Sequence, residues 1–201
     1  MKKLLVLMIT ALVVSGFTMS TQEYPPGVGV LTNSRSCVSC HANNGPWNSD
    51  DRTIIDLLDG ETKASLRQAD GSFALEVPRG QRRTVLTVIG RPKSDTLPVP
   101  YRNGWTYIDP QRIGTGSISK FAPGWAVDLQ MACRLVGDQL PGFEDANITV
   151  LPMTVMPLDD AHDTEVELQL MLTSGDSGKG AAMHNMQSNY FVRTVDLKVI
   201  R

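Results

Sequence analysis

The residues best equipped for chemistry lie near the N-terminus, in the run Cys37-Val38-Ser39-Cys40-His41. Two thiols at this spacing, followed directly by an imidazole, form the C-x-x-C-H pattern by which a haem is attached covalently. The thiols add to the two vinyl groups of the macrocycle as thioethers. His41 then lies under the iron and supplies the proximal nitrogen, a ligand suited to both redox states of the metal. Two other uses of the thiols stay open. Cys37 and Cys40 could form a redox-active disulfide, although such a pair usually opens a helix in a βαβ unit, which is not patterned here. They could bind zinc, although a structural zinc wants a second Cys/His pair at short spacing, which is missing.

Small counts sharpen this reading. The 201-residue chain holds three Cys and three His. That excludes a dense disulfide framework and leaves no room for several haems. One covalent haem c is therefore expected, with Cys133 left over inside a strand pattern as a buried, inert thiol. The composition, 41 % apolar and 20 % charged, is that of a globular protein. A net charge of −2 gives no basic excess for nucleic acid.

The second axial ligand decides what such a haem does. Met or His there gives an electron carrier, and an open position permits gas binding or peroxide chemistry. Met183-His184-Asn185-Met186 follows a loop and precedes a strand pattern, so Met183 or Met186 is the expected distal ligand, with His184 as the alternative. Met131, Met153, Met156 and Met171 sit in strand patterns and read as core filling. His162 lies in an acidic turn. Trp47 packs either on the haem edge or in an ordinary core, and Arg35 and Arg52 flank the motif as partners for propionates or as solvated cations.

The elements that must position these residues begin with an address. Lys2 and Lys3 precede the apolar run Leu4 to Val14, and small residues, Thr18 and Ser20, stand before a cut at Thr21. This is the secretory pattern, too short for a spanning helix. Residues 1–20 are therefore read as a cleaved signal, with membrane association only if that segment is retained. The mature chain would carry 17 basic and 21 acidic residues, net −4, in an oxidising periplasmic or extracytoplasmic compartment.

Residues 21–60 are read as the haem attachment segment with a short helix. Ser49 caps it, Asp50 and Asp51 suit its N-terminal end, Ile54, Leu57 and Leu58 share one face, and Gly60 stops it. Residues 61–201 are read as a β-sandwich-like domain. Period-two alternation brackets a turn at Asp70-Gly71, and a second hairpin is expected around Asn103-Gly104. Strands are further expected over 84–89, 125–135, 148–156, 166–172 and 190–200. Charge is segregated: residues 79–125 hold eight basic and two acidic residues, net +6, whereas residues 126–190 hold two basic and ten acidic, net −8. Two solvated faces or a dipole for docking would both produce this.

With its motif and export signal the chain resembles a c-type cytochrome. The resemblance covers Cys37 to His41 and the leader. The chain is longer than the common small helical class and strand-patterned after Gly60, so that helical fold is not carried over. Tyr24-Pro25 is similar to the N-terminal ligand pair of cytochrome f, a β-sandwich cytochrome, but its spacing to the motif is shorter. Asp70 to Gly80 resembles a hairpin of transthyretin-like modules, which bears on fold class alone. The resemblance implies an electron carrier, more readily than an enzyme, with a redox partner protein and no nucleic acid. A gas- or peroxide-handling haem protein is one alternative. Copper handling by a β-sandwich, suggested by His184-Asn185-Met186, is the other; a type 1 copper site is disfavoured because Cys133 lacks a nearby His and Met at the required spacing.

Overall fold

The structure is a computed structural model that describes residues 43–112, 121–174 and 187–201. Within them the chain is mainly β, as its alternating pattern predicts. The nine strands are β1 (Ile54–Asp59), β2 (Phe73–Pro78), β3 (Arg83–Pro92), β4 (Arg102–Ile108), β5 (Trp125–Asp128), β6 (Met131–Leu135), β7 (Ala146–Pro157), β8 (Thr164–Thr173) and β9 (Ser188–Ile200). They build two packed sheets, ordered β1-β3-β7-β5 and β2-β9-β8-β4-β6. All pairings are antiparallel except that of β2 with β9.

The core lies between the sheets. Ile55, Leu57, Val85, Ile89, Met153 and Val155 of the first sheet face Phe73, Leu75, Trp105, Tyr107, Leu168, Leu170, Phe191 and Val195 of the second. Fully burying each large apolar side chain contributes about 1.5–3 kcal/mol. Polar bonds tie the layers as well: Asn103 Nδ2 donates to the Ile89 carbonyl and to Thr149 Oγ1, both at 3.1 Å. Thr87 and Tyr107 share a hydroxyl–hydroxyl bond of 2.6 Å, while burial pushes the Tyr107 phenol upward despite that bond.

Three sequence expectations are corrected. The helix over 49–60 does not form. Helical geometry is confined to the 3-10 turn Asp50–Arg52, Ser49 makes no side-chain cap, and Ile54–Asp59 is a strand against Val85–Gly90 of β3. The apolar spacing fits either element, and β-branched Thr53, Ile54 and Ile55 favour the extended one. The hairpin at Asn103-Gly104 is absent too, because β4 runs straight through both residues and spends the Asn103 amide on the core. The stretch 125–135 is two strands in different sheets, broken where Leu129 takes a left-handed φ of 57°.

The lateral edges differ. On one side, residues 64–66 bond to both sheets: the Leu66 N–H donates to Leu57 of β1 and the Ala74 N–H of β2 donates to Leu66. On the other side, the β5–β6 corner passes directly between the sheets.

Candidate functional site

The motif residues Cys37, Cys40 and His41 and the distal candidates Met183, His184 and Met186 lie outside the described residues, as do residues 1–20 and Arg35. The flanks of both stretches are described, and they meet. Asn43, two residues after His41, forms a parallel bridge with Ser188, two residues after Met186. Asn43–Gly45 thereby extends the five-stranded sheet along the part of β9 that β2 leaves unpaired.

A cluster of amides fixes this junction. The Tyr190 N–H donates to Asn43 Oδ1 at 3.1 Å, the Asn189 Nδ2 to the same oxygen at 3.4 Å, and the Ser188 N–H to Asn44 Oδ1 at 3.4 Å. The Gly45 N–H donates to the Ser188 carbonyl at 2.8 Å. Gly45 has no substitute here, since a Cβ would lie 2.5 Å from Asn189 Oδ1 and 2.9 Å from the Ser188 backbone. The Trp47 N–H donates to Asn189 Oδ1 at 2.7 Å, and its indole N–H to the Pro98 carbonyl at 2.7 Å. Trp47 is 1 % exposed and belongs to the main core. Of its two expected roles, core packing is the one observed.

The segment leading to β1 is anchored again further on. Arg91, 2 % exposed, donates through Nη1 to Thr53 Oγ1 at 2.8 Å and to the Ser49 carbonyl at 3.2 Å, and through Nε to Asp95 Oδ2 at 2.6 Å. Burial alone would raise the Asp95 carboxyl, but the Leu97 N–H and the Arg91 guanidinium outweigh it and hold the group below its ordinary range. Removing one partner of such a buried pair leaves an uncompensated charge, which is strongly destabilising. Asp50 pairs with Arg193 of β9. At the other flank, the Ser174 N–H donates to the Gln187 carbonyl at 2.9 Å and the Gln187 N–H returns to Ser174 Oγ at 3.0 Å. Ser174 and Gln187, which flank 175–186 in sequence, are thus bonded to each other.

The remaining sequence candidates scatter. Arg52 is exposed, and His162 is exposed with its carbonyl accepting the Trp125 indole N–H. Met153 fills the core as expected, while Met131 is exposed and Met171 is buried on the outer face of β8. Met156 is half-buried. Cys133 is half-buried on β6, and burial pushes its thiol up against the opposing pull of Arg102. The side chain is not fully enclosed, whereas the sequence pattern predicts a buried thiol. Among the described residues, no three His, Cys, Asp or Glu side chains gather as a metal site. Sequence reasoning missed the amide cluster; its only local signal was the run Asn43-Asn44-Gly45. No family model matches the chain, and no curated protein matches it.

Proposed function

We propose that this chain is an exported monohaem c-type cytochrome that transfers electrons. Cys37 and Cys40 would hold the haem covalently, and His41 would ligate its iron. Met183 or Met186 is the proposed distal ligand, with His184 as the alternative. When bound, such a group supplies one-electron redox chemistry, tuned by the axial ligands and by burial. The chain's own share of the work is to hold the two ligand-bearing stretches in register, to exclude water and to offer a docking face to a redox partner protein in the periplasm.

The donor set fits the group: two thiols at C-x-x-C spacing and an adjacent imidazole, with further soft sulfur ligands in the second stretch. The observation that carries the reading is the Asn43–Ser188 bridge. Two residues of chain reach at most about 7 Å. Paired strands stand about 4.8 Å apart. Covalent geometry therefore keeps the Cα atoms of His41 and Met186 within about 19 Å, the chain reach on each side of the bridge plus the strand spacing. Burial of the sheet's outer face close to this bridge, at Thr106, Gln169, Met171, Thr173 and Ser188, gives further support.

The test is expression with a haem c maturation system, followed by a pyridine haemochrome assay. One covalent haem per chain is expected, and zero defeats the reading. A low-spin spectrum unmoved by carbon monoxide is expected of the electron carrier, whereas a shifted one indicates an open distal site. Met183→Leu and Met186→Leu, made separately, identify the ligand; if neither changes the spectrum, the methionine assignment fails.

A further inference from the structure

The register divides the outer face of the five-stranded sheet into rows. From the Asn43 junction one row runs Asn43, Ser188, Thr173, Arg102 and Leu135. The next runs Tyr190, Met171, Gly104 and Cys133, and a third Val192, Gln169, Thr106 and Met131. The alternate residues Phe191, Leu170 and Trp105 belong to the core, so these rows face outward. Arg102 stands three strand spacings from Asn43, about 14 Å at Cα.

Two residues here are at odds with simple packing. Gly104 lies inside β4, where the ladders to β6 and β8 are both unbroken. A Cβ there would lie 3.4 Å from Met171 Cε and 3.8 Å from Cys133 Cβ, ordinary contact distances. A side chain would therefore fit, and glycine inside a regular strand often marks the close approach of a ligand. The second residue is Arg102, the one cation in these rows. Burial pushes the neighbouring Cys133 thiol up, and the Arg102 guanidinium pulls it the other way. The same guanidinium stands 5.8 Å from the centre of the Tyr101 ring. Arg102 Nε is nevertheless buried with no hydrogen-bond partner, and so is Thr106 Oγ1 on the same face. A buried donor left without an acceptor carries its full desolvation cost.

We propose that the haem of the proposed cytochrome, on which this inference rests, lies against this face over Gly104, and that the Arg102 guanidinium holds one of its propionates. Direction and charge both argue for it. The vinyl groups and the propionates leave opposite edges of the macrocycle. Cys40, three residues before Asn43, stays within about 11 Å of it by chain length alone. The thioethers would thus hold the vinyl edge on the β9 side of the sheet. The propionates then reach across β8 toward β4, where Arg102 stands. A carboxylate there makes short, charge-assisted bonds to the guanidinium fork and gives Nε its acceptor. Met171, 5 % exposed, and the bare floor at Gly104 offer the macrocycle an apolar seat. Arg52, close to the motif in sequence, is exposed instead.

The test is spectroelectrochemical titration of the haem-loaded full chain, with haem counted by pyridine haemochrome. A cation beside a propionate disfavours the ferric state, so Arg102→Gln should lower the midpoint potential. At a fixed applied potential the ferrous-to-ferric ratio should fall about tenfold, as for loss of a unit charge near a partly buried centre. Arg102→Lys keeps the charge and should restore most of that ratio. Arg134→Gln removes a cation that is in register with inward-facing Asn103 and paired with Asp138, and should leave the potential in place. Gly104→Val fills the floor beneath the macrocycle. It should change the Soret circular dichroism while the far-ultraviolet spectrum and the haem count are kept. An unmoved potential in Arg102→Gln, a fall that Arg102→Lys does not reverse, or an unmoved Soret signal in Gly104→Val would each overturn the proposal and leave the cytochrome reading standing. Zero covalent haem in the unaltered chain defeats that reading and this proposal with it.

Discussion

The outer faces of the two sheets are both partly buried, but by different chemistry. On the four-stranded sheet, Leu58, Val88 and Ile148 form a second apolar cluster, with Leu140, Phe143 and Ala146 packed against it. It is a small conventional core under a loop. On the five-stranded sheet, the buried outward residues are Thr106, Ile108, Gln169, Met171, Thr173 and Ser188, four of them hydroxyls or amides. Burial of polar groups costs free energy unless they find partners. Here Gln169 Nε2 donates to Glu167 Oε2 at 2.9 Å. The difference separates a face held by apolar packing from one held in part by polar bonds, and the second is the one beside the Asn43 junction.

The severest test of that division removes the thiols. Cys37→Ala with Cys40→Ala is expected to abolish covalent haem, read by haemochrome assay. Retained covalent haem would erase the functional half of the comparison. Next is Ile148→Ala, which should cost about 2–5 kcal/mol in denaturant unfolding. It should leave any haem spectrum unchanged, since it strikes the packing face. Asn189→Ala strands the Trp47 N–H and loosens Asn43, so a loss of about 1–3 kcal/mol is expected.

Asp59 serves as a reference outside both outer faces. The Thr62 N–H and the Arg83 guanidinium hold its carboxyl below the ordinary 3.8. A depressed folded value stabilises the protein above 3.8, and that contribution is lost as pH falls below it. The stability gap between wild type and Asp59→Asn, followed by thermal melts, should therefore narrow in acid. The smallest effect is expected from Thr106→Val. The buried Thr106 hydroxyl has no hydrogen-bond partner among the described residues. Replacing it with a methyl should be close to neutral or slightly stabilising. A large loss would show that the polar face depends on that hydroxyl.

Much of the fold is legible in the sequence where one periodicity dominates. Val85, Thr87 and Ile89 alternate inward against Val88 and Leu86, and Val166 to Leu172 and Tyr190 to Ile200 behave alike. Errors arise where a local signal has two meanings. Ile54, Leu57 and Leu58 satisfy a helical stripe and a doubly buried strand equally, and pairing with β3 decides between them. Asn103-Gly104 is a turn signal only if the amide stays in solvent. The break at Leu129 leaves no mark in the composition. Of the candidate site, the five-residue motif is legible because its residues are contiguous. The amide cluster is not, because Asn43 and Tyr190 are 147 positions apart and neither belongs to a periodic pattern.

That separation has a consequence in time. Asn43 and Gly45 find their partners only on β9, the last strand of the chain. Synthesis from the N-terminus presents Asn43 and Gly45 long before β9 exists to receive them. Until that final strand arrives the junction cannot close, so the last strand made completes the architecture around the first residues described.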